Sequence, residues 1–202
     1  MFFHFHDLGR LVDGELELLP PQVTLIDEVL RACWDTRTAE QMPRESSITR
    51  EDLMSFIQAA PRGRQPGRSA EGRVPAYHFW LRITGGAARE QIGADSTIAG
   101  GIALRIGRGK DIEMYYGHIG YHVYPPSRGH HYAERAVRLL LPLAKLHGLK
   151  ELWITANPEN AASRRTCERL AGDCVEVVDV PSGHPLHFRG ETRKCRYRMV
   201  IG

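Results

Sequence analysis

Apolar and polar positions alternate over Gly14-Glu-Leu-Glu-Leu-Leu19, the period of a strand, and the run stops at Pro20-Pro21. Over 23–34 the spacing becomes helical, with Val23, Leu25, Ile26, Val29, Leu30 and Cys33 on one side, which predicts an amphipathic helix. Ser47 or Thr49 is placed to cap a second helix. Thr49-x-x-Asp52 is a capping box with Asp in place of Glu, and Leu53, Phe56 and Ile57 form the apolar face. Three strand-like runs follow at 74–84, 97–106 and 112–124, separated by glycine-rich turns. A helix is then predicted over 132–147, with Ala133, Ala136, Val137, Leu140, Leu141 and Ala144 on one face and Gly148 as its C-terminal stop. A short buried strand (152–156), a helix (160–170) and two closing strands (174–180 and 194–201) complete the chain. That order implies an α/β protein with a mixed sheet and helices on its faces.

The chain has 202 residues, which fits a single domain over 1–202. Hydrophobic residues make up 42% and charged residues 25%, ordinary for a soluble globular protein. No stretch is long and apolar enough for a spanning helix. The start, Met1-Phe2-Phe3-His4-Phe5-His6-Asp7, has neither a basic segment nor a small-residue cleavage site, so no secretory signal is expected. Twenty-seven Lys and Arg against twenty-four Asp and Glu leave only +3, too little to point to a nucleic-acid or membrane partner. Cys33, Cys167, Cys174 and Cys195 form no C-x-x-C pair, so the expectation is reduced cysteines in a cytoplasmic protein.

The stretch 61–73 reads PRGRQPGRSAEGR, with four Arg against one Glu, a local +3. Its Pro and Gly content predicts a flexible, exposed loop. The sharper alternative is a basic finger that grips phosphate or an acidic substrate, which would make the chain a catalytically silent binding module. Ten histidines raise the question of a metal. The pairs His4-x-His6, His130-His131 and His184-x-x-His187 lack a third ligand nearby, so no metal is expected.

The informative run is Val123-Tyr-Pro-Pro-Ser-Arg128-Gly129-His130-His131-Tyr132-Ala133, where a strand ends, two prolines turn the chain and a helix opens. A helix start presents unpaired N–H groups and the positive end of the dipole, a ready phosphate site. This run resembles motif A of the GNAT (Gcn5-related N-acetyltransferase) superfamily, roughly V-x-P-x-x-R-G-x-G-x-G/A. Further on, Asn157-Pro-Glu-Asn160-Ala-Ala-Ser163-Arg-Arg-Thr-Cys167-Glu-Arg-Leu170-Ala-Gly172 is similar to motif B, an N-x-x-A/S pattern followed by an apolar helix and a glycine turn. One helix, a glycine and one strand lie between the motifs, as in the family, and the resemblance is clear over 112–172. Gly117-His-Ile-Gly-Tyr121 resembles the E-I-G-Y strand of the ribosomal-protein and small-molecule branches. The tail 193–198 resembles that of a branch known only as predicted acetyltransferases.

The resemblance implies a GNAT-like N-acyltransferase fold, with a mostly antiparallel central sheet and helices on both faces. It implies an N-acetyltransferase that moves an acetyl group from acetyl-CoA to a primary amine, of a small molecule or a peptide, by direct attack. Tyr121, His122 and Val123 would line the pantetheine arm, the run Arg128, Gly129, His130, His131, Tyr132 and Ala133 would bind the pyrophosphate, and Asn160 and Ser163 would also meet the cofactor. Family members often form homodimers, and 173–202 is the first place to look for an interface. His131 stands where the motif has its second glycine. Either its side chain turns outward, or a protonated imidazole pairs with phosphate. Cys167 aligns with the family's frequent general-acid tyrosine, and Thr155 with the glutamate base of some members. The base is left open among His118, whose ordinary pKa of about 6.5 suits proton removal, Glu113, His122 and a relaying water.

Overall fold

The computed structural model describes residues 6, 9–59, 64–69, 72–86, 90 and 96–202. His4 and the segments 60–63 and 70–71 of the arginine-rich stretch lie outside the described residues. The chain opens with a hairpin, β1 (Leu11–Asp13) and β2 (Leu16–Leu19). Four helices follow: α1 (Ile26–Trp34), α2 (Thr36–Gln41), α3 (Pro43–Ser46) and α4 (Arg50–Ala59). The expected capping box forms at α4. Thr49 N–H donates to Asp52 Oδ2 at 2.9 Å and Asp52 N–H to Thr49 Oγ1 at 3.1 Å. Asp35 caps α2, accepting from the Arg37 N–H at 2.9 Å.

Strands β3 (Arg64–Ser69), β4 (Gly72–Ile83), β5 (Ile98–Arg105) and β6 (Ile119–Val123) come next. They are followed by α5 (Tyr132–Leu146), β7 (Glu151–Ala156), α6 (Ala161–Ala171), β8 (Glu176–Asp179) and β9 (Arg193–Val200). The sheet order is β1-β2-β4-β5-β6-β7-β9-β8, with β3 on the same edge of β4 as β2. Every pairing is antiparallel except β6 with β7. One sheet face packs Trp80, Ile98 and Tyr124 against α1 and α4. The other packs Leu81, Ile102, Leu104 and Ile119 against α5, whose Ala136, Val137, Leu140 and Ala144 are fully buried. Truncating Leu140 to Ala there would cost about 2–5 kcal/mol through lost burial and the cavity left behind. No helix among the described residues is long and apolar enough to cross a membrane.

Two expectations are corrected. Residues 112–116, read as the first half of a strand, form a single π-helical turn instead. Ile112 and Tyr115 are buried at i,i+3 spacing, and the Gly117 N–H closes the turn on the Ile112 carbonyl at 2.7 Å. Glu113 is therefore on a turn and not on a strand face. In the 61–73 stretch, read as a loop, 64–69 and 72–73 run as paired strands. Backbone pairing needs no apolar side chains. The two prolines that face each other, Pro66 and Pro75, break no bond of this ladder, because the Pro75 carbonyl, and with it the Pro75 nitrogen, points to the β5 side.

Candidate active site

The site is built where the sheet parts. Strands β6 and β7 pair only at Ile119 and Ile154, and β7 ends at Ala156 ahead of Asn157-Pro158. On β6 the carbonyl of His118 and the N–H of Tyr124 point to β5, so by alternation the backbone groups of Tyr121 and Val123 face the gap. Close packing on the other side keeps β6 in place. Gly100, at φ +154°, lies so near that a Cβ there would stand 2.1 Å from the His122 carbonyl oxygen, which leaves glycine as the residue that fits.

Two cavities meet at this gap. The first, a cleft of about 450 Å³, runs between the end of β6, the opening of α5 and the first turns of α6. Of the residues assigned to the cofactor from sequence, Tyr121, His122, Val123, Arg128, Gly129, His131, Tyr132, Ala133, Asn160 and Ser163 all line it. His130 does not, and stacks on the Tyr132 ring with centroids 5.4 Å apart. The first helical bond of α5 runs from Arg135 N–H to the His131 carbonyl at 3.0 Å, so the N–H groups of Tyr132, Ala133 and Glu134 have no intrahelical partner. His131 takes the left-handed conformation at φ 57°, ψ 20°, and its exposed imidazole leans to Glu134 at 3.5 Å. Histidine thus adopts the backbone shape that glycine would take without strain, with its exposed side chain at the cleft wall beside Glu134.

Sequence reasoning missed Met42, Ser127, Ala162, Arg165, Thr166 and Arg169, which also line the cleft. Four of them sit on α6 at positions 162, 165, 166 and 169, one face of a helix, and that spacing was the available signal. Arg128 spans the mouth, donating to Gln41 Oε1 at 2.7 Å and to the Val123 carbonyl at 3.1 Å. Arg169 is held by Glu134 at 2.7 Å. Asn160 caps α6, accepting from the Ser163 N–H at 3.0 Å.

The second cavity, of about 870 Å³, opens on the α4 side of the sheet. Its lining includes Ala76 and His78 of β4, Arg105 of β5, Tyr115 and Tyr116, Thr155 of β7, and Leu186, Arg189, Glu191 and Lys194. Tyr121, Asn160 and Ser163 line both cavities. The Tyr121 hydroxyl lies 3.0 Å from Ser163 Oγ and 4.0 Å from Cys167 Sγ, and burial pushes its pKa well up. Burial also raises the Cys167 thiol to about 11.

The acid–base candidates from sequence fall outside this junction. His118 is buried, with Nδ1 accepting from the Trp153 N–H at 2.9 Å and Nε2 facing the Gly107 carbonyl at 3.1 Å. Both ring nitrogens are therefore engaged by backbone, and burial lowers the pKa against the opposing effect of those two bonds. Glu113 lines neither cavity, and its carbonyl oxygen accepts from Arg196 Nε at 2.8 Å. His122 lines only the first cleft, with its pKa lowered by burial. Thr155 donates its hydroxyl to the Tyr115 carbonyl at 2.9 Å. His78, in the second cavity, is pushed down to about 4 by burial and by the neighbouring Arg105 charge, so it is neutral at physiological pH. Among the described residues no three His, Cys, Asp or Glu side chains gather as a metal site.

Solved structures share this architecture. The microcin C7 self-immunity acetyltransferase MccE, in complex with acetyl-CoA and AMP, superposes with a TM-score of 0.62 at 16% identity, covering 94% of each chain. A GNAT-family acetyltransferase from Bacillus anthracis gives 0.60 at 17% identity, over 96% of this chain and 99% of that one. The ribosomal L7/L12 α-N-protein acetyltransferase RimL gives 0.57 at 14%, over 97% and 96%. At such identities the likeness shows the fold. No curated protein matches the chain in sequence. Residues 15–172 match the acetyltransferase (GNAT) domain family, and that match covers most of the chain and both motifs of the cleft. The chain belongs to the GNAT acetyltransferase family and is an acyltransferase.

Proposed function

We propose that the protein transfers the acetyl group of acetyl-CoA to a primary amine by direct attack, with no covalent enzyme intermediate. The observation that carries this reading is that the cleft holding the α5 opening and the larger cavity share Tyr121, Asn160 and Ser163. A donor in one and an acceptor in the other would meet there. The cleft suits the donor. Free N–H groups at the start of α5, with Arg128 and Arg165 beside them, match a pyrophosphate. The backbone of Tyr121 and Val123 faces an extended arm. Acetyl-CoA would supply an activated thioester.

The chain's own residues then have three tasks. One N–H of the β6 segment facing the gap stabilises the oxyanion that develops on the carbonyl. The Tyr121 hydroxyl, kept protonated by burial, donates to the departing sulfur. The amine must arrive without its proton, and an alkylammonium has an ordinary pKa of about 10.4. Arg105, Arg189 and Lys194 line the second cavity and lower that value by like-charge repulsion. His78, pushed down to about 4, is too weak a base to hold the proton, which therefore leaves through water. The four cysteines are free, three of them buried, which supports a cytoplasmic location.

The test is a thermal shift with acetyl-CoA on the wild type and on an Arg128→Glu, Gly129→Pro double variant. At a hundredfold excess over Kd, binding adds about 2.7 kcal/mol, or roughly 5–10 °C for a domain of this size. The wild type is expected to shift and the variant not. No wild-type shift at millimolar acetyl-CoA overturns the reading.

A further inference from the structure

The second cavity holds a guanidinium, that of Arg105, whose hydrogen-bonding edge has no task in the transfer chemistry. The partly buried Arg105 reaches from β5 over Gly120, where a Cβ would stand 3.1 Å from Nη2 and 3.2 Å from Nη1. Glycine at 120 is what makes room for the guanidinium. Nη1 donates to the carbonyls of Tyr116 and Gly117 at 3.2 and 3.1 Å, the guanidinium carbon lies 5.9 Å from the centroid of the Tyr116 ring, and Nε and Nη2 have no hydrogen-bond partner among the described residues. Among the described residues no carboxylate pairs with it, although arginine is seldom withdrawn from water without one. A guanidinium edge left open toward a cavity matches the flat, two-oxygen face of an oxyanion.

The surroundings point the same way. Arg189 lines the same cavity with its guanidinium in no ion pair among the described residues. Lys194 is shared between Asn157, at 2.7 Å, and Glu191. The ionised lining is thus Arg105, Arg189 and Lys194 against Glu191, three charges against one, or +2. A simple amine, cationic in water, is poorly matched to such a lining.

We propose that the acceptor is an amine that also carries an oxyanion, a carboxylate or a phosphate, and that Arg105 anchors that group. The inference rests on the reading of this cavity as the acceptor site. Arg105 and Tyr121 line the same cavity, so the anchor and the side chain shared by both cavities open on one space. A short linker between amine and oxyanion then brings the nitrogen to the junction. Arg105 is a positioning residue, selecting the acceptor and orienting it.

The test pairs 4-aminobutanoate with butylamine, and phosphoethanolamine with ethanolamine. Thiol release from acetyl-CoA is followed, and acceptor binding is measured by calorimetry whether or not turnover occurs. The oxyanion-bearing member of at least one pair is expected to lead by about 10–100-fold in kcat/KM, the worth of a charge-assisted hydrogen bond. The pair with the larger lead tells carboxylate from phosphate. Arg105→Gln should erase that lead, chiefly through the KM of the oxyanion-bearing member, and keep the acetyl-CoA thermal shift that reports an intact fold. Arg105→Lys, which retains the charge, should recover part of it. Equal handling of both members in both pairs overturns the anchor while acetyl transfer stands, and so does a lead that survives in Arg105→Gln. If no amine is acetylated, acetyl transfer to amines falls. Calorimetry then decides the anchor alone, supported by oxyanion binding that Arg105→Gln abolishes and overturned by no binding to the wild type.

Discussion

The Tyr121 hydroxyl stands 3.0 Å from the Ser163 hydroxyl and 4.0 Å from the Cys167 sulfur, where strand β6 meets helix α6 at the junction of the two cavities. The resemblance to motif B puts position 167 opposite the family's frequent general-acid tyrosine. Here the helix carries a small thiol, fully buried, and a phenol comes toward it from the strand. The same corner of the fold thus has a hydroxyl donor delivered from the opposite wall.

Replacing Tyr121 by Phe removes that donor and keeps the ring. The expected outcome is a fall in kcat of about a hundredfold or more, the usual worth of a positioned acid. The KM for acetyl-CoA should change little, and stability should drop by about 1 kcal/mol for the lost hydrogen bond. Cys167→Ser should keep most of the activity, because the thiol, at about 11, is a bystander. Thiol release at saturating acetyl-CoA measures both. A Phe variant with wild-type kcat would remove Tyr121 from the proton path.

His118 gives the opposite expectation. Its ring joins the Gly107 carbonyl to the Trp153 N–H across the β6–β7 junction, so its loss is structural. His118→Ala leaves a buried N–H and a buried carbonyl unmet, a loss of about 2–4 kcal/mol, or roughly 5–15 °C in Tm. The fraction that stays folded should keep its kcat. Melting curves beside rates measured well below the new midpoint separate the two effects, and a large loss of kcat in folded protein would restore His118 as a base.

What the sequence made legible was whatever depends on neighbours along the chain. The helix opening at 128–133 and the Thr49–Asp52 box are both local signals, and each lies where it was expected. The second cavity was not legible, because its lining comes from β4, β5, the 112–116 turn, β7 and the 185–194 segment. Only the strand order, with β9 inserted beside β7, gathers them. Arg105 read as the next-to-last residue of the 97–106 strand, and nothing local marks it as lying over Gly120. Glu113 was misplaced for a similar reason. Ile112 to Tyr116 suits a strand in composition, and the burial of Ile112 and of Tyr115, the latter against Val180 and Leu186, goes with a turn instead.

His131 carries the one positive φ among the described non-glycine residues. A left-handed residue with a Cβ costs about 1–2 kcal/mol, so His131→Gly should recover about 1 kcal/mol after the added entropy of the unfolded chain is allowed for. That is a rise of roughly 2–4 °C in Tm. Because the exposed imidazole already leans to Glu134, the acetyl-CoA shift should persist in the variant. A variant that melts lower than wild type would mean that the histidine's contacts outweigh its backbone strain.

Burial lowers the pKa of His78, His118 and His122 together, and this sets how stability depends on pH. Above pH 6.5 each is neutral whether the chain is folded or not, so each contribution is fully present. Below 6.5 the unfolded chain binds protons that the folded one refuses, and stability falls as pH falls, for His78 until about pH 4. The limiting slope is about 1.4 kcal/mol per pH unit for each histidine. Tm should therefore be flat near neutrality and drop between pH 6.5 and about 4 more steeply than carboxylate titration alone would give. His78→Gln, which keeps the size and polarity of the side chain, should flatten that drop by about one proton's worth and leave Tm above pH 7 within a few degrees. Melting curves across a buffer series check both points. A His78→Gln slope equal to wild type would mean that His78 takes up its proton in the folded protein as readily as in the unfolded chain. Arg105 would then exert no measurable field on it, and the positive character assigned to the acceptor cavity would fail with it.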